Sequence, residues 1–274
     1  MEIANCMPKS RYYSDIKIIK KPLKQRVKGI LKFFIFFVLC GCCFFSAKIF
    51  SGALTVGKIG DFVMFGDTNL KVDSNKLFAV SLGEYDTKSE AEKVALGSNV
   101  QGAGGFVWED KKYYVIGNIY LNIDDANKVV KNLKESNYKV SVKEISFPKL
   151  KIDFSMYENK DMDTIKKSIN VFDKAYKMLY ENSISFDKGE ISHLAVSSNI
   201  SQFRGEVKSI IVSVQNLINK SSSKLKNIQS SLIMLDELLD QTIIKTIDNT
   251  STNYSLKHSI SHVVRIKYDL FNTL

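Results

Sequence analysis

His258 and His262 stand four residues apart, the spacing that puts two imidazoles on one face of a helix, where they could share a zinc ion. Between them lies Ser259-Ile260-Ser261, without the glutamate of a helical metalloprotease, and no third ligand is evident. The pair therefore reads as surface or partly packed histidines. Gly102-Ala103-Gly104-Gly105 precedes a strand pattern, whereas a dinucleotide-binding loop follows one, so it reads as a turn. Asp161 and Asp163 begin a helical stretch, where acids complement the helix dipole. No nucleophile–base pair can be assembled. The sequence predicts a non-catalytic protein, not an enzyme, with no metal and no cofactor.

The cysteines are Cys6, Cys40, Cys42 and Cys43, so the chain beyond them has no disulfide framework and no cysteine-based zinc site. Lipidation of Cys40, Cys42 or Cys43 is one reading. Small apolar residues packed in a helix is the one favoured.

The net charge of +10 would suit a nucleic-acid partner if it were spread over a folded surface. It is not. Lys9, Arg11, Lys17, Lys20, Lys21, Lys24, Arg26, Lys28 and Lys32 face only Glu2 and Asp15, so this stretch carries +7 of the total. That concentration marks topology and excludes nucleic acid as the expected partner.

Residues 30–50, ILKFFIFFVLCGCCFFSAKIF, follow directly. About 20 apolar residues span the hydrocarbon core as a helix. Lys32 and Lys48 stand near its ends, where their side chains reach the headgroups. The basic flank places residues 1–29 in the cytoplasm and the C-terminal portion outside it, at the cell membrane, as a single-pass protein. Ser51-Gly52-Ala53 would suit cleavage of a signal peptide, but the long leader and Lys48 favour an uncleaved anchor. Residues 51–73 then form a linker.

From Leu77 the pattern changes. Phe78, Val80 and Leu82 alternate with Ala79 and Ser81, a half-buried strand that Gly83 breaks. Thr87-Lys88-Ser89-Glu90 matches a capping signal, with Ala91, Val94 and Ala95 as the apolar face of the helix. Phe106-Val107-Trp108 and Tyr113 to Gly117 are strands around a turn at residues 109–112. Asp124 opens a second helix with Ala126, Val129, Val130 and Leu133 on one side, and Tyr138, Val140 and Val142 close the set as a strand. The order is β-α-β-β-α-β. The two halves echo each other. Phe78-x-Val80-x-Leu82-Gly83-x-Tyr85 is followed six residues later by Ala91, and Tyr113-x-Val115-x-Gly117-Asn118-x-Tyr120 six residues later by Ala126.

In these positions the segment resembles the SPOR (sporulation-related repeat) domain family, whose members repeat an aromatic-x-V-Q-V-G-x-aromatic strand followed by a helix with an early alanine. The resemblance covers residues 74–147. It implies a ferredoxin-like α+β fold and binding to septal peptidoglycan, preferably glycan strands stripped of stem peptides, in bitopic proteins of sporulation or cell division. The family's polar glutamine corresponds to Ser81, and its polar or basic third-strand positions to Tyr114 and Ile116. If glycan binds that face, Ser81 and Tyr114 are the expected contacts and Ile116 an apolar platform.

Strand alternation divides the faces. Phe78, Val80, Leu82, Tyr113 and Val115 point to the helices; Ala79, Ser81, Tyr114 and Ile116 point to the open side. A two-residue turn would pair Trp108 with Tyr113 and send it inward; a one-residue slip reverses this. Either way the open side is more apolar than a sugar platform, and an uncovered apolar sheet face marks an interface.

After Pro148 the pattern is helical. Ile165, Ile169, Phe172, Tyr176 and Leu179 form one stripe; Ile200, Phe203, Val207, Ile210, Val214 and Leu217 a second; Leu225, Ile228, Leu232, Leu235 and Leu239 a third; and Leu256, Ile260, Val263 or Val264 and Leu270 or Phe271 a fourth. Residues 148–274 are expected to form a helical bundle or antiparallel coiled coil that buries its own stripes, with self-association into a homo-oligomer or docking on the open sheet as alternatives. The sequence thus predicts a tethered envelope protein binding peptidoglycan, or else an interaction protein whose sheet packs on its own helices or on an envelope protein without binding sugar.

Overall fold

A computed structural model describes residues 63–65, 69–72, 75–99, 102–136, 138–154, 157–218, 223–246 and 249–274. The basic tail, the predicted membrane helix at 30–50 and most of the linker lie outside the described residues. Among the described residues no helix is long and apolar enough to cross a membrane.

The strands are β1 (Val63–Phe65), β2 (Asn69–Val72), β3 (Lys76–Tyr85), β4 (Phe106–Glu109), β5 (Tyr113–Tyr120), β6 (Ser141–Ser146) and β7 (Leu150–Asp153). The helices are α1 (Lys88–Asn99), α2 (Ile123–Glu135), α3 (Asn159–Asp187), α4 (His193–Ile218), α5 (Ser223–Lys245) and α6 (Asn249–Thr273). β4-β5-β3-β6 make a four-stranded antiparallel sheet, and β1-β2-β7 a small three-stranded one.

Local chemistry explains the first two helices. Thr87 Oγ1 accepts the Glu90 amide at 3.3 Å and donates to the Glu90 carboxylate at 2.8 Å, which closes the start of α1. Asn122 Oδ1 caps α2 by accepting from the Asp124 amide at 2.9 Å, and Asp124 and Asp125 suit the positive end of the helix dipole. Ala91 and Ala95 let α1 approach Val115, while Ala126 and Val130 of α2 meet Val80 and Val140. These contacts form one layer on one face of the sheet.

The other face is covered as well. Ala79, Trp108, Ile116 and Ile119 belong to the same continuous core as the apolar stripes of α3, α4, α5 and α6. α6 lies against β4 and β5, and α3 reaches the sheet through Tyr176, whose hydroxyl donates to the Ile119 carbonyl at 3.0 Å. α4 and α5 complete the bundle. Partly exposed ion pairs join its helices: Arg204 of α4 pairs with Asp236 and Asp240 of α5, and the buried Lys267 of α6 with Asp173 of α3 at 2.5 Å.

This corrects the expectation of a ferredoxin-like domain between a transmembrane helix and a separate bundle. A ferredoxin-like unit has two layers and one bare sheet face. The described chain is instead a mixed α+β fold with helices on both faces of the larger sheet, a second sheet beside it, and one core running through residues on both sides of Pro148. The reason lies in the second face, which presents side chains too apolar to leave in water.

Two further differences are local. Residues after Pro148 form β7 before any helix, because Leu150, Ile152 and Phe154 alternate with polar residues; Ile152 and Phe154 are buried. β7 pairs with β2, drawing residues 69–72 of the expected linker into a sheet. The β4–β5 connection has three residues, not two, so Trp108 pairs with Tyr114 and Val107 with Val115. Trp108 therefore lies on the bundle side of the sheet.

Ile116 is 0 % exposed at the centre of the covered face. Ile116→Ala should lower unfolding free energy by about 2–5 kcal/mol in urea titrations of the full chain. A loss below about 1 kcal/mol would mean that the face is not packed as described.

Candidate functional site

The three residues expected to contact glycan end in different surroundings. Ser81 and Ile116 are register partners on β3 and β5, with Ser81 1 % exposed and Ile116 fully buried. The Ser81 hydroxyl is turned onto its own strand, donating to the Gly83 carbonyl at 2.9 Å. Register shifts on either side of Ser81 set this local bend. Tyr114 is half-buried. The Lys143 ammonium sits 3.8 Å from its ring centroid and is also bonded to Asp110 at 3.0 Å, which holds the Asp110 carboxyl below the usual range. Of the three, only Tyr114 keeps a share of solvent.

What covers this face is a set of side chains from α6 that grip strand-end carbonyls. His258 Nδ1 lies 2.9 Å from the Gly104 carbonyl, Lys257 Nζ donates to the Gly102 carbonyl at 3.2 Å, and Arg265 Nη1 donates to the Glu109 carbonyl at 2.6 Å. The guanidinium of Arg265 also lies 5.1 Å from the Trp108 ring centroid, and Tyr268 meets that ring edge-on at 5.4 Å. Phe106 contacts both His258 and His262, with centroid separations of 5.4 and 5.5 Å.

The glycine-rich loop is the seat of this contact. A Cβ on Gly104 would come within 2.8 Å of the Lys257 carbonyl carbon, so α6 closes only on a residue without a side chain. Gly105, at φ +56°, turns the chain into β4. Sequence reasoning read this segment as a turn and missed its second role; the clustering of glycines just ahead of a strand was the available signal.

No protein-family model, curated protein or solved structure matches the chain.

Beside the seat, α5 and α6 enclose a polar cleft lined in part by Thr242, Lys245, Tyr254, Ser255, His258 and His262. Among the described residues no group of three or more His, Cys, Asp or Glu is placed to hold a metal ion. The two histidines pack against Phe106 and each other, with centroids 6.3 Å apart. Burial lowers the pKa of both. For His262 the value falls to about 4, with His258 and Lys245 pushing it further down and Asp269 opposing. At the far end of β5, Tyr176 and Tyr180 stack at 5.8 Å, and burial raises Tyr180 to about 12.

His262 has a folded pKa of about 4, below its ordinary 6.5, so the unfolded chain binds more protons between those values. Its contribution to stability is complete above pH 6.5 and is lost as pH falls toward 4. Urea unfolding of the full chain followed from pH 7 to pH 4 should show this decline, with a smaller slope in His262→Gln. Equal slopes in the two proteins would show that His262 is not buried in the neutral form.

Proposed function

We propose that this chain is a non-catalytic, membrane-anchored envelope protein of sporulation or cell division whose SPOR-like sheet packs on its own helices and does not bind sugar. Burial of Ser81 and Ile116, with Ile116 in the core shared with α3 and α6, is the observation that carries this reading. A glycan strand needs an accessible aromatic platform with hydrogen-bonding groups beside it. Here the central residues of that face are sealed, and Ser81 spends its hydroxyl on the adjacent main chain. The basic stretch ahead of residues 30–50 supports delivery of the folded unit to the outer side of the cell membrane. In this reading the partner is another envelope protein, and the helical half of the chain provides the contact surface.

The peptidoglycan reading differs in a measurable way. Full-length protein in detergent, incubated with denuded glycan strands and sedimented, should be retained no more than an unrelated membrane protein. Saturable retention that Tyr114→Ala abolishes would overturn the proposal and restore glycan binding through the family face.

A further inference from the structure

The cleft between α5 and α6 opens beside the sheet contact, with His258 and His262 on its wall. Its volume is about 90 Å³, the space of about three water molecules or one small oxyanion. We propose that it binds a small oxyanion, a carboxylate or phosphate group, between Lys245, Ser255 and His262.

Three observations converge on that chemistry. The first is charge. Lys245 brings an ammonium group to the lining, and among the described residues no carboxylate lines the cleft. The nearest acid that acts on His262, Asp269, is paired with Arg265 at 2.8 Å. The second is an unmet hydrogen bond. Ser255 is 2 % exposed, lines the cleft, and its buried Oγ has no hydrogen-bond partner among the described residues. Buried hydroxyls are nearly always paired, and a ligand oxygen would supply the partner. Its neighbours do not: Thr242 and Ser259 share a 2.7 Å hydrogen bond, and Thr242 also donates to the Leu238 carbonyl at 2.7 Å. The third is the imidazole of His262, which faces Lys245 from α5, His258 and Asp269 on its own helix, and the uncharged Phe106 of β4. An oxyanion there would offset the burial that keeps His262 neutral. By linkage, affinity rises as pH falls.

The chain has three histidines, so imidazole carbon-13 labelling of the full-length protein gives three resolvable signals. Inorganic phosphate and acetate would be titrated in separate arms at constant ionic strength with chloride. The expected result is a saturable shift of His262 and His258 in at least one arm, none at His193, and a rise in the apparent pKa of His262. Ser255→Ala should weaken binding about tenfold. Lys245→Met, a change at an exposed side chain that leaves packing intact, should remove most of the affinity. Absence of a saturable shift in both arms, or unchanged affinity in Lys245→Met, would overturn the proposal.

Discussion

The structure depends on the seal between the bundle and the second face of the four-stranded sheet. Apolar burial supplies most of it: Trp108, Ile116 and Ile119 from the sheet meet side chains of α3 and α6 in one core. Polar contacts then fix the angle. Tyr176, Lys257, His258 and Arg265 all end on main-chain carbonyls, at Ile119, Gly102, Gly104 and Glu109. Those carbonyls lie at the ends of β5 and around β4, where the sheet ladder leaves main-chain groups to be satisfied. β4 is also the edge strand of the four-stranded sheet, and α6 packs on it as well as on β5.

This seal decides which functions the fold can host. A sheet face that binds sugar must remain wet and hold its polar groups ready. The residues that would do so here are either buried, as Ser81 and Ile116 are, or already engaged with Lys143, as Tyr114 is. Between α5 and α6, two imidazoles whose pKa values are lowered by burial, a buried hydroxyl and an ammonium group surround one small cleft.

Much of the layer formed by α1 and α2 was legible in the sequence, because period-two strands and the paired alanines are local signals. Val80 and Val115 face helices as alternation requires, and Ala91 and Ala126 sit where the helices approach most closely. The four bundle stripes were equally plain: Ile165, Ile200, Leu225 and Leu256 are all fully buried. What was not legible depends on distant partners. The register of Trp108 turned on one residue in the loop at 110–112. The role of Gly104 became visible only with Lys257 against it, more than 150 positions along the chain. The short strand at Leu150–Asp153 was hidden because its partner, β2, lies in a segment that composition alone marks as a linker. The four-residue spacing of His258 and His262 was plain in the sequence, but not its structural use, which is to put both rings on Phe106.

Native-state hydrogen exchange on the full chain addresses the seal most directly. If bundle and sheet share one core, the amides of β5 and of α6 open together, with the same free energy and the same dependence on denaturant. Exchange of α6 at much lower free energy, while residues 76–146 keep their full protection, would show that the sheet stands without the bundle, and the account would fail.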